Sequence, residues 1–308
     1  MSYGLPYKGS KNAIAARIVS FLPPGRRFCD LFCGGCAMTH AAMLSGKWER
    51  FLARDIAPAL PRFFMDAASG KYLDEKRWIS REDFARLWQS DPFVSLCWSF
   101  GSKGDSYIYG IDIEWWMRAL HYAIVLRDYA PIEEDFGVRL GESDRALLES
   151  LGERSAIVFL QNRLDIARLS SMLAKTTWRT LKMEHRVRLA RVNALAQSLP
   201  GPLPLVAEGG DYREYRHEDG DVVYCDPPYI GTSAYSTAFD HAEFYDWLRS
   251  RTFPVYVSEY RMPGDFVPVF AVRKRQLLAQ VNCAFAVEKV FLHRRFVGAA
   301  RFPTRLKT

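Results

Sequence analysis

The residues with the sharpest chemical meaning are Asp226-Pro227-Pro228-Tyr229, which directly follow the apolar run Asp221-Val222-Val223-Tyr224-Cys225. Such a run reads as a buried strand, and open α/β sheets bind ligands beyond the carboxyl ends of their strands. An exocyclic amine of a nucleobase is a weak nucleophile because its lone pair is delocalised into the ring. A carboxylate at Asp226 and the backbone carbonyl of Pro227 can accept hydrogen bonds from both N–H groups of such an amine and draw the nitrogen toward tetrahedral geometry. Two prolines stiffen the turn and fix the carbonyl's direction. Tyr229 offers a face on which an extruded base can stack, a contact of roughly 1–3 kcal/mol in single-stranded systems. The plainer meaning of the same tetrapeptide is an ordinary proline turn after a strand.

These groups need a frame, and the periodicity of the chain predicts one. Ile14, Ile18, Phe21 and Leu22 fall at helical spacing until Pro23-Pro24-Gly25 stops the helix. Residues 27–32 read as a compact strand, running through the Gly34-Gly35 turn into a helix from Ala37 to Leu44, which is the opening of a nucleotide-binding α/β unit. A second strand, 50–54, ends at Asp55, where a ribose-binding acid is expected, before Pro58 and Pro61 break the pattern. Between about Leu60 and about Leu199, tryptophans and charges replace the β-branched runs of a parallel sheet. This stretch reads as a mainly helical insertion, with helical tracts near 156–173 and 184–199 and a glycine-punctuated hairpin or ordered loop from Trp98 to Gly110. The α/β rhythm returns with strands at 203–207, 221–225 and 254–258, a helix around His241 to Ser250, and a β-rich tail that can close a mixed sheet with antiparallel strands. The expected division is therefore a core made of residues 1–59 and 200–308, split by an insertion at 60–199.

Composition bounds the rest. With 308 residues, 49% hydrophobic and 25% charged, the chain has the make-up of a folded globular protein with room for a core and a second module. A formal net charge of +7 favours a polyanionic partner, although an ordinary basic protein has the same balance. No apolar run is long enough to cross a bilayer and no leader pattern opens the chain, so a cytoplasmic location is expected. Six cysteines are too sparse for a secreted disulfide scaffold and read as reduced thiols. Cys29, Cys33 and Cys36 do have the spacing of an iron–sulfur motif. Cys29, however, belongs to a strand that should lock it away from the loop carrying the other two.

In its motifs and their order the chain resembles the DNA adenine methylase family, the group in which the motif that binds S-adenosylmethionine (SAM) precedes a target-recognition insertion and the catalytic motif follows it. The closest likeness is Val222-Val223-Tyr224-Cys225-Asp226-Pro227-Pro228-Tyr229. Pro6-Tyr7-Lys8-Gly9-Ser10-Lys11 is similar to the family's first motif, which implies that Tyr7 and Lys11 lie near the cofactor. Asp30-Leu31-Phe32-Cys33-Gly34-Gly35 is similar to its glycine loop, which implies that Asp30, Phe32 and Gly34 border the methionine part of SAM. Leu31 stands in place of the usual proline and Cys36 in place of a second spaced glycine, with Gly35 expected to supply that flexibility one position earlier. The resemblance further implies that Asp55 accepts the ribose hydroxyls and that Asp211, beside Tyr212, meets the adenine amine of SAM. The insertion is similar mainly in Ser99-Phe100-Gly101 and Tyr107-Ile108-Tyr109-Gly110, which resemble phage-type members.

The implied fold is a Rossmann-like SAM-dependent methyltransferase sheet with an inserted helical domain. The implied activity is transfer of a methyl group to the N6 amine of a flipped adenine in double-stranded DNA, by direct displacement and without a covalent enzyme intermediate. Ser102, Lys103 and Tyr107 are the expected DNA contacts, against the alternative that these aromatics fill a small core. Arg273-Lys274-Arg275 and His293-Arg294-Arg295 are charge runs of the kind usually found on solvated faces. Neither a metal ion nor an obligatory protein partner is expected. Cytosine C5 methylation would need a cysteine nucleophile in a different setting. Three readings stay open: N4-cytosine methylation, which presents the same amine to the same acceptors, RNA or protein amine methylation, and a silent homologue that keeps the fold.

Overall fold

Strands β1 (Arg27–Asp30) and β4 (Asp221–Cys225) are far apart in sequence yet run side by side in parallel, with Arg27 opposite Asp221 and Asp30 opposite Tyr224. Their starts are joined by a two-pronged ion pair, Arg27 Nε to Asp221 Oδ1 at 2.8 Å and Nη2 to Oδ2 at 2.6 Å, the geometry in which a guanidinium binds a carboxylate most strongly. The computed structural model describes residues 2–7, 9–100, 105–164, 182–199, 204–230, 239–275 and 285–298.

From β1 the sheet extends outward through β2 (Arg50–Asp55) to β3 (Leu205–Gly209), and on the other side through β4 to β5 (Val255–Glu259), all in parallel. Strand β7 (Phe285–His293) then pairs antiparallel with β5, and β6 (Phe266–Arg275) pairs antiparallel with β7 at the edge. The order β3-β2-β1-β4-β5-β7-β6 reverses direction between β1 and β4, and that reversal opens a crevice at the strands' carboxyl ends. Strands β4 and β5 are buried along their whole length, as parallel strands covered on both faces must be. The seven-stranded, mostly parallel sheet agrees with the α/β class expected from the sequence and is compatible with a Rossmann-like methyltransferase.

Helix α1 (Ala15–Phe21) precedes β1, and α2 (Ala37–Ser45) follows the glycine turn. Lys47 Nζ donates to the carbonyls of Val19 (2.9 Å), Ser20 (3.1 Å) and Leu22, so its charge closes the end of α1 where carbonyls lack partners. Arg295 does the same for the helix His241–Ser250 by donating to the carbonyls of Arg249 and Arg251. This part of the basic tail is a helix cap.

The strand pattern stops at Asp55, and Pro58 and Pro61 then fall at the start of a helix. Pro58 stands at the N-cap position and Pro61 in the first turn of this helix, α3 (Ala59–Ala68), whose face of Pro61, Phe63, Phe64, Ala67 and Ala68 is buried. Prolines cost little there, because the first-turn N–H groups of a helix have no intrahelical acceptor.

The chain forms two compact units, Met1–Lys71 with Arg191–Thr308, and Tyr72–Ala190. The first therefore continues past residue 60, since α3 packs on β2 and β3. In the second unit the described elements are helices, among them Arg81–Leu87, Pro92–Cys97, Ile111–His121, Glu142–Ser150 and Glu153–Arg163. The aromatic stretch doubles back as expected, with Phe100 N–H donating to Ser106 O (2.7 Å) and Ile108 N–H to Trp98 O (2.9 Å). The tract expected at 156–173 is helical to Arg163, and residues 165–181 lie outside the described ones.

Within this unit Trp78, Trp98, Tyr107 and Tyr109 enclose two histidines. His121 Nε2 faces the carbonyl of Lys76 at 2.8 Å, so that nitrogen carries the hydrogen. Its Nδ1 then accepts from His185 Nε2–H (2.9 Å), and His185 Nδ1 accepts from the Tyr109 hydroxyl (2.6 Å). Every hydrogen in the chain points the same way and both imidazoles are neutral. Burial pushes His121 down to about 4 and His185 well below the usual histidine range.

Candidate active site

A cavity of about 430 Å³ opens at the carboxyl ends of β1, β2 and β4, within the roughly 300–1,000 Å³ usual for small-molecule and cofactor sites. Its wall brings together Tyr7, Lys11, Asp30, Phe32, Gly34, Asp55, Asp211 and Tyr212, from four separate stretches of sequence, with Asp226 and Pro228. Pro227 is buried and Tyr229 half-buried, neither on that wall.

The glycine turn is shaped by its neighbours. Gly34 has φ +46°, and at Gly35 a side chain would stand 2.6 Å from Cβ of Tyr7. Leu5 N–H donates to Gly35 O at 2.7 Å, and His40 Nδ1 accepts from Gly4 N–H at 3.1 Å, so the segment around Tyr7 is laid directly on the turn. Burial holds His40 neutral, at about 4. The flexibility expected of Gly35 belongs instead to Cys36, which itself adopts φ +56° at the start of α2. A non-glycine residue held in that region costs about 1–3 kcal/mol. Gly35 is needed for close approach rather than for its backbone angles.

Asp55, at the tip of β2, accepts from Gly34 N–H (2.8 Å) on one oxygen and from Ala57 N–H (2.9 Å) on the other. It clamps the turn and still keeps lone pairs facing the cavity. Burial raises its pKa, while those two backbone bonds pull it down. Asp30 is 1% exposed, and one oxygen accepts from the Thr39 hydroxyl at 2.8 Å. Its other oxygen, Oδ1, is buried with no hydrogen-bond partner. Burial pushes Asp30 up to about 7; the Thr39 bond opposes this and the charges of Asp226 and Asp55 add to it.

On the far wall, Phe32 stacks on Tyr212 with ring centres 5.3 Å apart and meets Phe239 edge-on at 5.7 Å, forming an aromatic surface. Asp211 is engaged by Arg213 through both oxygens, at 2.9 and 2.6 Å, and Arg213 also reaches Glu243 at 2.6 Å. The bond to Arg213 holds the Asp211 carboxyl below the usual range.

Asp226 meets Lys11 Nζ at 2.7 Å, and the same ammonium lies 3.3 Å from Glu288 Oε1. Tyr229 donates its hydroxyl to Glu288, and Lys11 sits 4.6 Å from the centre of the Tyr229 ring. Burial raises the pKa of Asp226; Lys11 lowers it and Glu288 raises it further. For Lys11 burial works downward, but the two carboxylates outweigh it and leave the ammonium above its ordinary value. Pro228 is fixed by His241, whose Nε2 donates to its carbonyl at 2.8 Å.

These residues fit a sulfonium nucleoside such as SAM. A buried carboxylate oxygen without a partner suits a positive or N–H-bearing group, the glycine turn leaves backbone accessible, and the aromatic surface suits a purine. Two features were not read from the sequence. Lys11 turns its charge to Asp226 rather than to open cavity, and Glu288 joins both from β7. The signal for Glu288 was present, since it shares a strand face with Val290 and Leu292, where an apolar residue is expected.

Of the expected DNA contacts, Ser102 and Lys103 lie outside the described residues. Tyr107 corrects its expectation: its hydroxyl donates to Ile79 O (2.7 Å) and its ring packs against Trp98, Phe84 and the Arg81 guanidinium, so it fills the interior of the helical unit. Cys29 Sγ accepts from the Tyr215 hydroxyl at 3.4 Å, whereas the Cys33 and Cys36 thiols both face Gly34 O, at 3.9 and 3.8 Å. Among the described residues no group of three His, Cys, Asp or Glu side chains is placed to hold a metal ion, and no helix is long and apolar enough to cross a membrane.

No curated protein matches the chain significantly. Residues 7–70, which carry Tyr7, Lys11, the glycine turn and Asp55, match the profile of the D12 class N6 adenine-specific DNA methyltransferase family, the family the motifs resemble, and this match indicates a DNA adenine methyltransferase enzyme.

Proposed function

We propose that the protein transfers a methyl group from SAM to the N6 amine of an adenine flipped out of duplex DNA. The observation that carries this reading is the single cavity whose wall joins the glycine turn, Asp55 and Asp211 to Asp226. Bound there, SAM supplies a methyl group on a positively charged sulfur, already activated for displacement. Tyr7, Asp30, Phe32, Gly34, Asp55, Asp211 and Tyr212 hold it: Asp30 through its unpaired oxygen toward positive charge, Asp55 toward the ribose hydroxyls, and Asp211 toward the adenine amine.

Asp226 and the Pro227 carbonyl accept the two N–H groups of the target amine, hold its nitrogen in line and draw its lone pair out of the ring. Tyr229, fixed by Glu288 and Lys11, supports the base beside them. Lys11 steadies Asp226 and keeps it ionised as an acceptor. The helical unit, residues 72–190, takes the part of target recognition, a place in the chain consistent with the family order, and the net charge of +7 favours the DNA partner.

Incubation of the purified chain with labelled SAM and mixed-sequence duplex DNA, followed by nucleoside mass spectrometry and sequencing of modified positions, tests the reading. N6-methyladenine is the expected product. N4-methylcytosine, or DNA left unmodified, would overturn it.

A further inference from the structure

Strand β7 places a carboxylate where its neighbours are apolar. Glu288 is 1% exposed and lies on the face that carries Val290 and Leu292. One of its oxygens accepts the Tyr229 hydroxyl and stands 3.3 Å from Lys11 Nζ, while the other is buried without a hydrogen-bond partner. The ammonium of Lys11 thus serves two carboxylates, at 2.7 Å for Asp226 and 3.3 Å for Glu288, and stacks on the ring that Glu288 anchors. The other side of that arrangement is set by Tyr260, whose ring meets Tyr229 edge-on at 4.8 Å. For stability alone, an apolar side chain serves such a position as well as or better than a buried charge.

We propose that Glu288 is a positioning residue for methyl transfer: by holding the Tyr229 hydroxyl and sharing the Lys11 ammonium, it sets the angle of the base-supporting ring and keeps Lys11 from claiming the Asp226 carboxylate alone. The proposal rests on the reading of Asp226 and Tyr229 given above. It assigns the antiparallel end of the sheet a part in chemistry that happens at the tips of its parallel strands. It also explains why one cation is matched by two acids, since the surplus negative charge faces a site that must accept N–H groups.

The test uses the full chain with labelled SAM and mixed-sequence duplex DNA in single-turnover format. Glu288→Gln keeps the volume and the acceptor for Tyr229 but removes the charge. Its rate falls by about tenfold to a hundredfold, the scale of a small misplacement of reacting groups, while SAM affinity by calorimetry and the melting temperature stay near wild type. Because the charge of Glu288 raises the Asp226 pKa, the acid limb of the pH–rate profile moves to lower pH in this variant. Tyr229→Phe, which removes only the hydroxyl, also slows transfer, and in the double variant the two losses do not multiply. An unchanged rate and an unchanged acid limb overturn the proposal, as does a rate loss matched by equal losses of SAM affinity and melting temperature. Absence of transfer by the wild-type chain overturns instead the reading of the function. In that event carbon-13 titration of Asp226 still decides the charge coupling: a lower midpoint in Glu288→Gln supports it, and an identical midpoint rejects it.

Discussion

In the helical unit, Tyr109, His185 and His121 pass one set of hydrogens along a chain that ends on the Lys76 carbonyl, so each imidazole satisfies the next. In the sheet unit, Asp30 and Glu288 each keep one buried oxygen without a partner, and the acids around Lys11 outnumber it. Both regions bury ionisable groups, and burial shifts the pKa of both. The first region closes its buried histidines on one another, and among its buried atoms without a partner, such as the indole nitrogens of Trp98 and Trp116, none is a carboxylate. The second leaves valences open, which costs stability unless a ligand fills them. Burial alone therefore does not mark a functional site; the direction in which the polar atoms point does.

The largest effect that can break this contrast is expected at Asp226. Asp226→Ala should lower the rate of methyl transfer by about a thousandfold, the scale of losing an acceptor used in the transition state, while SAM still binds, because Lys11 retains Glu288. Turnover by this variant within tenfold of wild type removes Asp226 from the chemistry.

The next effect lies in the helical unit and concerns acid. The folded His121 is depressed to about 4 from an unfolded value of 6.5. Its contribution is therefore complete above about pH 6.5 and is lost as the pH falls below it, by about 2 kcal/mol at pH 5. His185 adds a loss of the same sign. His40 shifts likewise in the sheet unit, so hydrogen exchange resolved by segment is the suitable measurement. Protection around Tyr109, His121 and His185 that stays level from pH 7 to pH 5 shows that the chain is not the neutral one described.

Asp30 gives a third effect: its pKa is shifted the other way, yet the quantity it governs again grows with pH. It is raised to about 7 by burial, so its ionised form, the one a cationic ligand prefers, grows as pH rises through that value. SAM affinity should rise over the same interval, and Asp30→Asn should weaken binding by about tenfold and flatten the dependence. Calorimetry at pH 6 and pH 8 measures both, and an equal slope in wild type and variant counts against Asp30 as a cofactor ligand.

The smallest effect concerns Cys36, whose left-handed backbone is a strained choice for a side chain. Cys36→Gly should stabilise the chain by about 1 kcal/mol against urea if the loss of thiol burial is small. Destabilisation instead would mean that the buried thiol contributes more to packing than the backbone angle costs.

How far the sequence reaches also differs between the two regions. The strands, the helix His241–Ser250 and the acids at strand ends were legible because apolar runs fix strands and because a parallel sheet gathers the tips of its strands at one crevice. Asp55, Asp211 and Asp226 meet there for that reason alone. That a helix starts at Pro58 and Pro61 was not legible, because proline breaks a helix interior but suits a first turn, and the sequence does not say which applies. Tyr107 looked like a contact residue because a hydroxyl bound for Ile79 reads the same as one bound for solvent. The partnership of Lys11, Asp226 and Glu288 was not legible, since it depends on three segments whose mutual distance only the sheet order sets.

The fork between Arg213 and Asp211 has one further consequence on the proposed reading. A ligand that takes over the Asp211 positions now held by Arg213 exchanges guanidinium N–H donors for a donor of its own. A 6-amino purine can make that exchange, whereas a 6-keto purine presents an oxygen to an oxygen and leaves the arginine in possession. The protein's own side chain thus acts as a resident competitor, and choice among nucleosides begins with how well each newcomer imitates it.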